Sequence, residues 1–280
     1  MSFFSFLRNT TSLGLRSRAQ RQAVGRRFRP RLEGLEDRCT PSLLTVTNTL
    51  DNGSKGSLRY DVLQAENSHG KITAINFASG LHGTITLAGG QLDITQNLTI
   101  LGPGADLLTV SGGNSSRVFE VAPKVTATIS GLTISNGTAD PNNFGLPYWG
   151  DGGGILNLGT LTLSDCVVSG NSANAPGPQY GGGIYNAGTL TLSGCTVSDN
   201  VAIADLAPAY GGGIYNAGTM KVSGCTVIGN VAGYEGGGIY NAGTLTVRNS
   251  VFGSAIPRGP INNPDNIFGP YTDLGGNTFM

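Results

Sequence analysis

Apolar and polar residues alternate in short runs along most of the chain, and from residue 152 onward this pattern repeats. A block that opens with three glycines occurs four times, and its clearest copy, GGGIYNAGTLTLSGCTVSDN, spans residues 181–200. Within the block the apolar residues recur at every second position, as in a half-buried β-strand, and not with the 3.6-residue period of a helix. The blocks begin 25 to 30 residues apart, a spacing typical of solenoids in which each repeat forms one coil.

Each block predicts three short strands, which read Gly-Ile-Tyr, Thr-Leu-Thr-Leu and Cys-Thr-Val. Bends at residues 186–188 and 193–194 separate the strands, because Asn and Gly favour turns. The block keeps its length while the spacer after it varies, as expected if the block stacks on its neighbours and the spacer is a surface loop. The sequence therefore predicts an all-β fold, a right-handed parallel β-helix of about six to eight coils.

Stacked coils place equivalent residues on top of one another, about 4.8 Å apart. The aliphatic positions of the block then form rows inside the coil, and its asparagine forms a ladder at a turn. The expected rows are Ile155/Ile184/Ile214/Ile239, Leu161/Leu190/Met220/Leu245, Leu163/Leu192/Val222/Val247 and Val168/Val197/Val227/Phe252. The expected ladder is Asn157/Asn186/Asn216/Asn241.

The pattern divides the chain into four parts. Residues 1–42 are Arg-rich and are interpreted as a leader that is either disordered or processed. Residues 43–70 hold an N-terminal strand and a capping helix, and residues 71–255 form the β-helix. Residues 256–280 are rich in loops and form either a C-terminal cap or a tail.

A short helix is predicted to begin after Ser57, because serine caps helix N-termini well. Leu58, Val62, Leu63 and Ala65 follow and are expected to make one apolar face. Such a helix would cover the open end of the first coil, as the terminal caps of solenoids do.

Charge is unevenly distributed along the chain. Charged residues make up 12% of it, and the formal net charge is zero. Residues 1–40 contain nine Arg and three acidic residues, whereas the other 240 residues contain eight basic and 14 acidic ones. The body therefore offers no basic stripe for nucleic acid, and no apolar run is long enough to span a membrane.

Three stretches resemble parts of known bacterial surface proteins. Residues 32–38 read Leu-Glu-Gly-Leu-Glu-Asp-Arg and resemble the Leu-Glu-x-Leu-Glu-Asp-Arg leader of large secreted planctomycete proteins, which implies export. Residues 43–65 resemble the N-terminus of surface β-helix proteins with a pectin-lyase-like fold, whose helix carries Ser-Leu-Arg-x-Ala-Ile. Here Asp61 and Val62 stand where Ala and Ile are usual. The glycine blocks resemble the Gly-Gly-x-Ile repeats of polymorphic outer-membrane proteins, and together these resemblances imply a fold and a surface setting, not a reaction.

Three of the four cysteines, Cys166, Cys195 and Cys225, occupy one position of the block. Leu132 and Ser250 take the same position elsewhere, which suits a small core residue, and three thiols in one inward row cannot all pair. We therefore expect buried free thiols. No His accompanies the row, so a metal site is not expected there.

A β-helix also raises the prospect of a polysaccharide lyase or hydrolase, whose site needs two or three carboxylates on one face. Asp165, Asp199 and Asp205 lie at different positions of their coils, and both histidines lie in turns before the repeats. Asp140 and Asp151 flank a long loop, where solvated acids are the simpler interpretation. The sequence thus assigns no catalytic residue, metal or cofactor.

Tyrosine provides the better candidate site. Three tyrosines share one position of the block, facing away from the inward Ile, and others lie just before each glycine run. The candidate carbohydrate-binding residues are Tyr148, Trp149, Tyr180, Tyr185, Tyr210, Tyr215, Tyr234 and Tyr240. Aromatic rings in such a row could stack on sugar rings, and the alternative is a self-stacking ladder that steadies the sheet.

Outward threonines form a second array, in which pairs such as Thr189 and Thr191 recur from block to block. Flat Thr-x-Thr arrays of this kind occur in ice-binding solenoids. Lys221 interrupts the array, and threonine is a favoured strand residue in any case. Ice binding is therefore an alternative that the absence of thermal hysteresis would exclude.

Together these patterns predict an exported, non-catalytic β-helix that serves as a structural or adhesion module, located outside the cell or at its surface. The expected partners are extracellular glycans or cell-surface components, and nucleic acid is not expected. A polysaccharide-binding or polysaccharide-degrading β-helix is the alternative, which converging acids on one face would favour. The oligomeric state stays open.

Overall fold

The computed structural model describes residues 42–139, 150–204, 207–253 and 262–280. These residues form an all-β parallel solenoid of about seven turns with one short helix near its N-terminal end. The strands, numbered β1 to β29 in chain order, form three main parallel sheets, and from β2 onward the chain visits sheets 1, 2 and 3 in turn. The predicted fold class is confirmed.

The three sheets have long, continuous ladders. Sheet 1 contains β1 (Ser42–Val46), β2 (Ile72–Phe77), β5 (Leu98–Leu101), β8 (Thr126–Ser130), β11 (Thr160–Ser164), β16 (Thr189–Ser193), β21 (Thr219–Ser223), β25 (Thr244–Arg248) and β28 (Thr272–Asp273). Sheet 2 contains β3 (Gly83–Thr86), β6 (Leu108–Ser111), β9 (Thr133–Ser135), β12 (Val167–Ser169), β17 (Thr196–Ser198), β22 (Thr226–Ile228), β26 (Val251–Phe252) and β29 (Thr278–Phe279). Sheet 3 contains β4 (Leu92–Ile94), β7 (Phe119–Val121), β10 (Ile155–Asn157), β15 (Ile184–Asn186), β20 (Ile214–Asn216), β24 (Ile239–Asn241) and β27 (Ile267–Phe268).

The spacers between sheets 2 and 3 carry short strands of their own, which the sequence analysis did not predict. These strands are β13 (Ser172–Ala173), β14 (Gln179–Tyr180), β18 (Val201–Ala202), β19 (Ala209–Tyr210) and β23 (Val231–Ala232). They pair from coil to coil, so the spacers stack beside the main sheets.

The inward rows lie as predicted. Strand pairing aligns Ile155 with Ile184, and the same register continues through the remaining coils in all three sheets. Every residue of the four rows is at most 2% exposed. Burial of these side chains supplies the hydrophobic driving force, about 1.5–3 kcal/mol for each large aliphatic side chain.

Two asparagine ladders run through the interior. In the predicted one, the amide nitrogens of Asn157, Asn186 and Asn216 each donate to the amide oxygen one coil further on, at 2.6 to 2.7 Å. A second ladder, which was not predicted, links Asn171, Asn200, Asn230 and Asn262 at 2.9 to 3.0 Å. Both ladders satisfy buried polar groups at the turns, where an unpaired group would be costly.

A single residue with positive φ makes the bend between sheets 1 and 2 in successive coils. One such residue occurs in each of five coils, with φ between 48° and 64°: Gly131, Asp165, Gly194, Gly224 and Asn249. Gly, Asn and Asp reach this left-handed region most easily, which explains the predicted bend at residues 193–194.

The glycine runs allow neighbouring coils to approach closely. A Cβ atom on Gly183 would lie 2.6 Å from the carbonyl oxygen of Gly213 and 2.9 Å from Cγ of Asn200. Glycine is therefore required at this position by packing, beyond any effect on the backbone angles.

The helix α1 (Leu58–Asn67) lies against β1, β2 and β4, with Ser57 as its N-cap. Leu58, Val62 and Ala65 are buried as predicted, but the prediction for Leu63 is wrong, because Leu63 is 45% exposed. Leu63 is five positions after Leu58, which turns it roughly 140° away from the buried face. The buried position beside that face is instead taken by Asp61.

Residues 262–280 add one further rung to the solenoid. Strands β27, β28 and β29 pair in parallel with β24, β25 and β26. The ring of Phe268 stacks on Tyr240 and the ring of Phe279 stacks on Phe252, with centroids 5.2 and 5.1 Å apart. The segment predicted as a cap or tail thus continues the sheets, although residues 254–261 lie outside the described part.

Candidate functional site

Tyr185, Tyr215 and Tyr240 form a file of rings on the outer side of sheet 3. They occupy the middle positions of β15, β20 and β24, between the inward Ile and the laddered Asn. Neighbouring rings are parallel within 7°, and their centroids are 5.3 and 5.1 Å apart. Phe268 extends the file by one ring.

A second file stands beside the first. The rings of Tyr180 and Tyr210 are stacked with centroids 5.7 Å apart. Each also meets the first file edge to face, Tyr180 against Tyr215 at 4.7 Å and Tyr210 against Tyr240 at 4.8 Å. Tyr234 contacts Tyr210 edge to face at 5.4 Å. We call these six tyrosines, with Phe268, the tyrosine face.

Stacking determines which parts of the tyrosine face can meet a ligand. Tyr185 is buried and Tyr234 is 56% exposed, while Tyr180, Tyr210, Tyr215 and Tyr240 are half-buried. The ring faces contact one another, so the exposed surface consists mainly of ring edges. The self-stacking alternative is therefore observed, and a sugar would have to bind along the edges of the files.

Burial keeps the phenol of Tyr215 protonated. Desolvation by burial, followed by the nearby Tyr180 hydroxyl, raises the pKa of Tyr215 to about 12. A neutral phenol both donates and accepts a hydrogen bond, which suits contact with sugar hydroxyls. Tyr148 and Trp149, the remaining members of the predicted set, lie outside the described residues.

The outer row of sheet 3 continues beyond the tyrosines into a polar cluster. Leu156 occupies the register of Tyr185, Glu120 pairs with Leu156, and Asp93 pairs with Glu120. The side-chain amide of Gln91 donates to Asp93 Oδ1 and to Glu120 Oε2, each at 2.7 Å. Both carboxylate oxygens lie 2.7 Å from the same amide nitrogen, so the two acids are close neighbours that share one donor.

Arg117 holds this cluster against the first glycine block. The guanidinium is buried, and its Nη1 donates to Gln91 Oε1 at 2.7 Å and to Glu120 Oε2 at 3.2 Å. Its Nη2 donates to the carbonyl oxygen of Asp151 at 2.8 Å, and its Nε donates to that of Gly152 at 3.0 Å. Arg117 therefore connects the irregular early coils to the regular repeat.

Among the acids that the structure describes, Asp151 has the pKa that the fold perturbs most clearly. Burial raises its pKa from 3.8 to about 7, although the Arg117 charge and the backbone N–H of Tyr180 both act in the opposite direction. An acid with a pKa near neutrality can act as a proton donor or acceptor at physiological pH.

The approach of Asp93 and Glu120 was not predicted, because the candidate acids all lie from residue 140 onward. Each acid lies between two apolar residues, in Leu-Asp-Ile and in Phe-Glu-Val. This shared position indicates that the acids are adjacent only when the register of the two strands is known. Asp165 and Asp199 lie instead at separate turns with positive φ. Asp140 and Asp205 lie outside the described residues.

The cysteine row is buried, as predicted. Cys166, Cys195 and Cys225 are free thiols, each about 1% exposed. Each lies near the backbone carbonyl two residues before it, at 3.3 to 3.4 Å. In the described ranges, no group of three or more His, Cys, Asp or Glu side chains is arranged to hold a metal ion.

The threonine array forms long files on sheet 1, and Lys221 stands between Thr191 and Thr246 as the sequence indicated. Within the part of the chain that the structure describes, no helix is both long and apolar enough to cross a membrane.

Fold and surface together define a parallel β-solenoid whose third sheet carries an outer aromatic file that ends in an acidic cluster. The family described as the right-handed beta helix region matches residues 61–252, well over half of the chain. The protein belongs to this family. Comparisons with curated proteins and with solved structures produced no match.

Proposed function

We propose that the protein is an exported, non-catalytic β-helix that serves at the cell surface as a structural or adhesion module and contacts glycans with its tyrosine face. The observation that carries the proposal is the repetition of the tyrosine face over successive coils. Ring centroids about 5 Å apart present an edge and a phenol at every rung, a spacing close to the length of one sugar unit in an extended polysaccharide.

The rigidity of the surface also supports glycan contact. Each tyrosine of the first file lies between an inward Ile and a laddered Asn, both buried. A rigid, pre-organised surface loses little conformational entropy when a ligand binds. Partial exposure of neutral phenols provides hydrogen-bond partners for sugar hydroxyls.

Glycan-array binding tests this proposal. The wild-type chain is compared with Tyr215→Ala and Tyr240→Ala, and with Thr244→Ala on the outer face of sheet 1 as a matched control. We expect the two tyrosine variants to lose the wild-type signal and the threonine variant to keep it. Unchanged binding by both folded tyrosine variants would refute glycan contact at this face.

Export requires its own experiment. Cell fractionation with N-terminal sequencing of the mature chain is expected to find the protein outside the cytoplasm, in keeping with the leader-like sequence of residues 32–38. Recovery in the cytoplasmic fraction alone would contradict the proposed location.

A polysaccharide-degrading activity is the second candidate, favoured by the adjacent Asp93 and Glu120 and by the raised pKa of Asp151. Glycosidases use two carboxylates on one face, one of them protonated near neutral pH. If this activity exists, Glu120→Gln and Asp151→Asn should abolish release of reducing ends while leaving array binding intact. Absence of released product from every glycan that the wild type binds would exclude this candidate.

A further inference from the structure

Tyr210 and Tyr234 bring two phenol rings from successive coils into contact at one border of the tyrosine face. The rings meet edge to face, with centroids 5.4 Å apart. Tyr234 is 56% exposed, the largest exposure among the six tyrosines of this face. The pair therefore joins one phenol that solvent reaches freely to one that is half-buried.

The backbone fixes the two rings as neighbours. The N–H of Tyr234 donates to the carbonyl oxygen of Ala209 at 2.9 Å, and the N–H of Gly211 donates to that of Glu235 at 3.1 Å. A parallel bridge also joins Tyr210 to Glu235. Because the two coils are held together on both sides of the pair, each phenol meets the other at a far higher effective concentration than two separate molecules would.

Freedom of the Tyr234 side chain distinguishes this pair from the stacked pairs beside it. Tyr215 and Tyr240 lie in the middle of β20 and β24, and their parallel rings are packed in a file. Tyr234 lies instead in a bend after β23 and follows Gly233. Formation of a bond between two rings requires them to move closer than van der Waals contact, and an exposed side chain on a bend accommodates this movement more readily than a side chain packed on a strand.

We propose that Tyr210 and Tyr234 form an intramolecular dityrosine cross-link when hydrogen peroxide and a haem peroxidase oxidise the chain. Each phenol gives up one electron and one proton, and the two radicals couple through ring carbons ortho to their hydroxyl groups. The hydrogen on each coupled carbon then moves to its own oxygen, which restores both phenols. Peroxide takes up the two electrons and two protons and becomes two molecules of water, so the protein loses two hydrogen atoms.

The cross-link would join two successive coils covalently, in addition to the hydrogen bonds that already connect them. A covalent link of this kind restricts the unfolded chain and so favours the folded one. The buried thiols do not compete for the oxidant, because Cys166, Cys195 and Cys225 are each about 1% exposed and thiol oxidation requires access. The inference does not depend on the proposed glycan contact.

Peptide mass spectrometry of the oxidised chain tests the proposal. The full chain is treated at low concentration with hydrogen peroxide and a haem peroxidase, and the monomer is isolated by size exclusion, denatured and digested with trypsin. Lys221 lies between the two tyrosines, so trypsin separates them unless a covalent bond joins the two peptides. We expect the wild-type monomer to yield the joined peptides, lighter than their sum by two hydrogen atoms, with the bond assigned to Tyr210 and Tyr234 by fragmentation.

Two variants make the assignment specific. Tyr234→Phe should lower the yield of joined peptides at least tenfold, because phenylalanine lacks the phenol that is oxidised. Tyr240→Phe is the matched control and should keep the wild-type yield, because Tyr240 lies in the same tryptic peptide and its ring meets Tyr210 at 4.8 Å, but it is packed in its file. Both substitutions retain the ring, and circular dichroism verifies the fold.

Three results would overturn the proposal. The first is dityrosine in covalent oligomers alone, or none at all, with no joined peptides from the wild-type monomer. The second is an unchanged yield of joined peptides in folded Tyr234→Phe. The third is a loss in Tyr240→Phe equal to that in Tyr234→Phe.

Discussion

Removal of one amide from the second asparagine ladder should destabilise the solenoid strongly. Asn200 is fully buried, and its Nδ2 donates to the carbonyl oxygen of Val168 and to Asn230 Oδ1, both at 2.9 Å. Its Oδ1 accepts from the backbone N–H of Asn171 at 3.0 Å and from the side-chain amide of that residue at 2.9 Å. Asn200→Ala removes all four bonds, two of which satisfy backbone groups.

The magnitude follows from the number of bonds and their burial. Each lost hydrogen bond costs about 1 kcal/mol net, and a buried group left without a partner costs about 1–3 kcal/mol. We therefore expect Asn200→Ala to lower the free energy of unfolding by about 3–5 kcal/mol. Asn97→Ala is the matched control, because exposed Asn97 accepts a single bond from the backbone N–H of Thr126. Its expected cost is about 1 kcal/mol or less.

Urea unfolding followed by circular dichroism and by intrinsic fluorescence measures the difference. Coincident transitions by the two probes justify a two-state free energy, which matters because repeat proteins can unfold in parts. A cost below 1 kcal/mol for Asn200→Ala, or a cost no larger than that of Asn97→Ala, would refute the argument that the buried ladder holds the coils together.

Two further predictions concern the polar cluster and the glycine runs. Because the pKa of Asp151 is raised to about 7, the folded chain binds more protons than the unfolded chain between pH 4 and 7, so stability should fall as pH rises through this window. The change is at most ~4 kcal/mol, and urea midpoints that fall equally in wild type and Asp151→Asn would contradict it. Gly183→Ala should cost about 3 kcal/mol, because the added Cβ would meet Gly213 O, whereas Ala187→Gly should cost only ~1 kcal/mol. Similar thermal midpoints for the two variants would contradict this.

Most of the fold could be predicted because stacked coils need residues of the same type at the same position of each repeat. Rows such as Ile155 and Ile184 follow from a period of two within the block and from a constant block length. The second ladder was not predicted, and its last member is hard to find from spacing, because Asn262 lies 12 residues after Ser250, whereas Asn230 lies five residues after Cys225. Leu63 was misplaced because a helix face depends on angle, and a five-residue step leaves the buried side.

The candidate site was only partly predictable. The shared position of Tyr185, Tyr215 and Tyr240 could be found from the repeat alone, and it predicted self-stacking as one alternative. The edge-to-face contacts of Tyr180 and Tyr210 with this file depend on side-chain angles that the repeat does not specify. Asp93 and Glu120 are neighbours because β4 pairs with β7. These two strands lack the glycine block that reveals the register of the later coils. The number of residues between the two strands did not indicate their register, so the polar cluster on the outer side of sheet 3 was not predicted.

Direct titration of a glycan onto the tyrosine face tests the central claim. The oligosaccharide with the strongest array signal is titrated calorimetrically into wild type and into a Tyr215→Ala/Tyr240→Ala double variant whose fold is verified by circular dichroism. The proposed function predicts a dissociation constant at least tenfold higher for the double variant, a loss of about 1.4 kcal/mol. An unchanged dissociation constant in the folded double variant would show that the glycan binds elsewhere and would contradict the account.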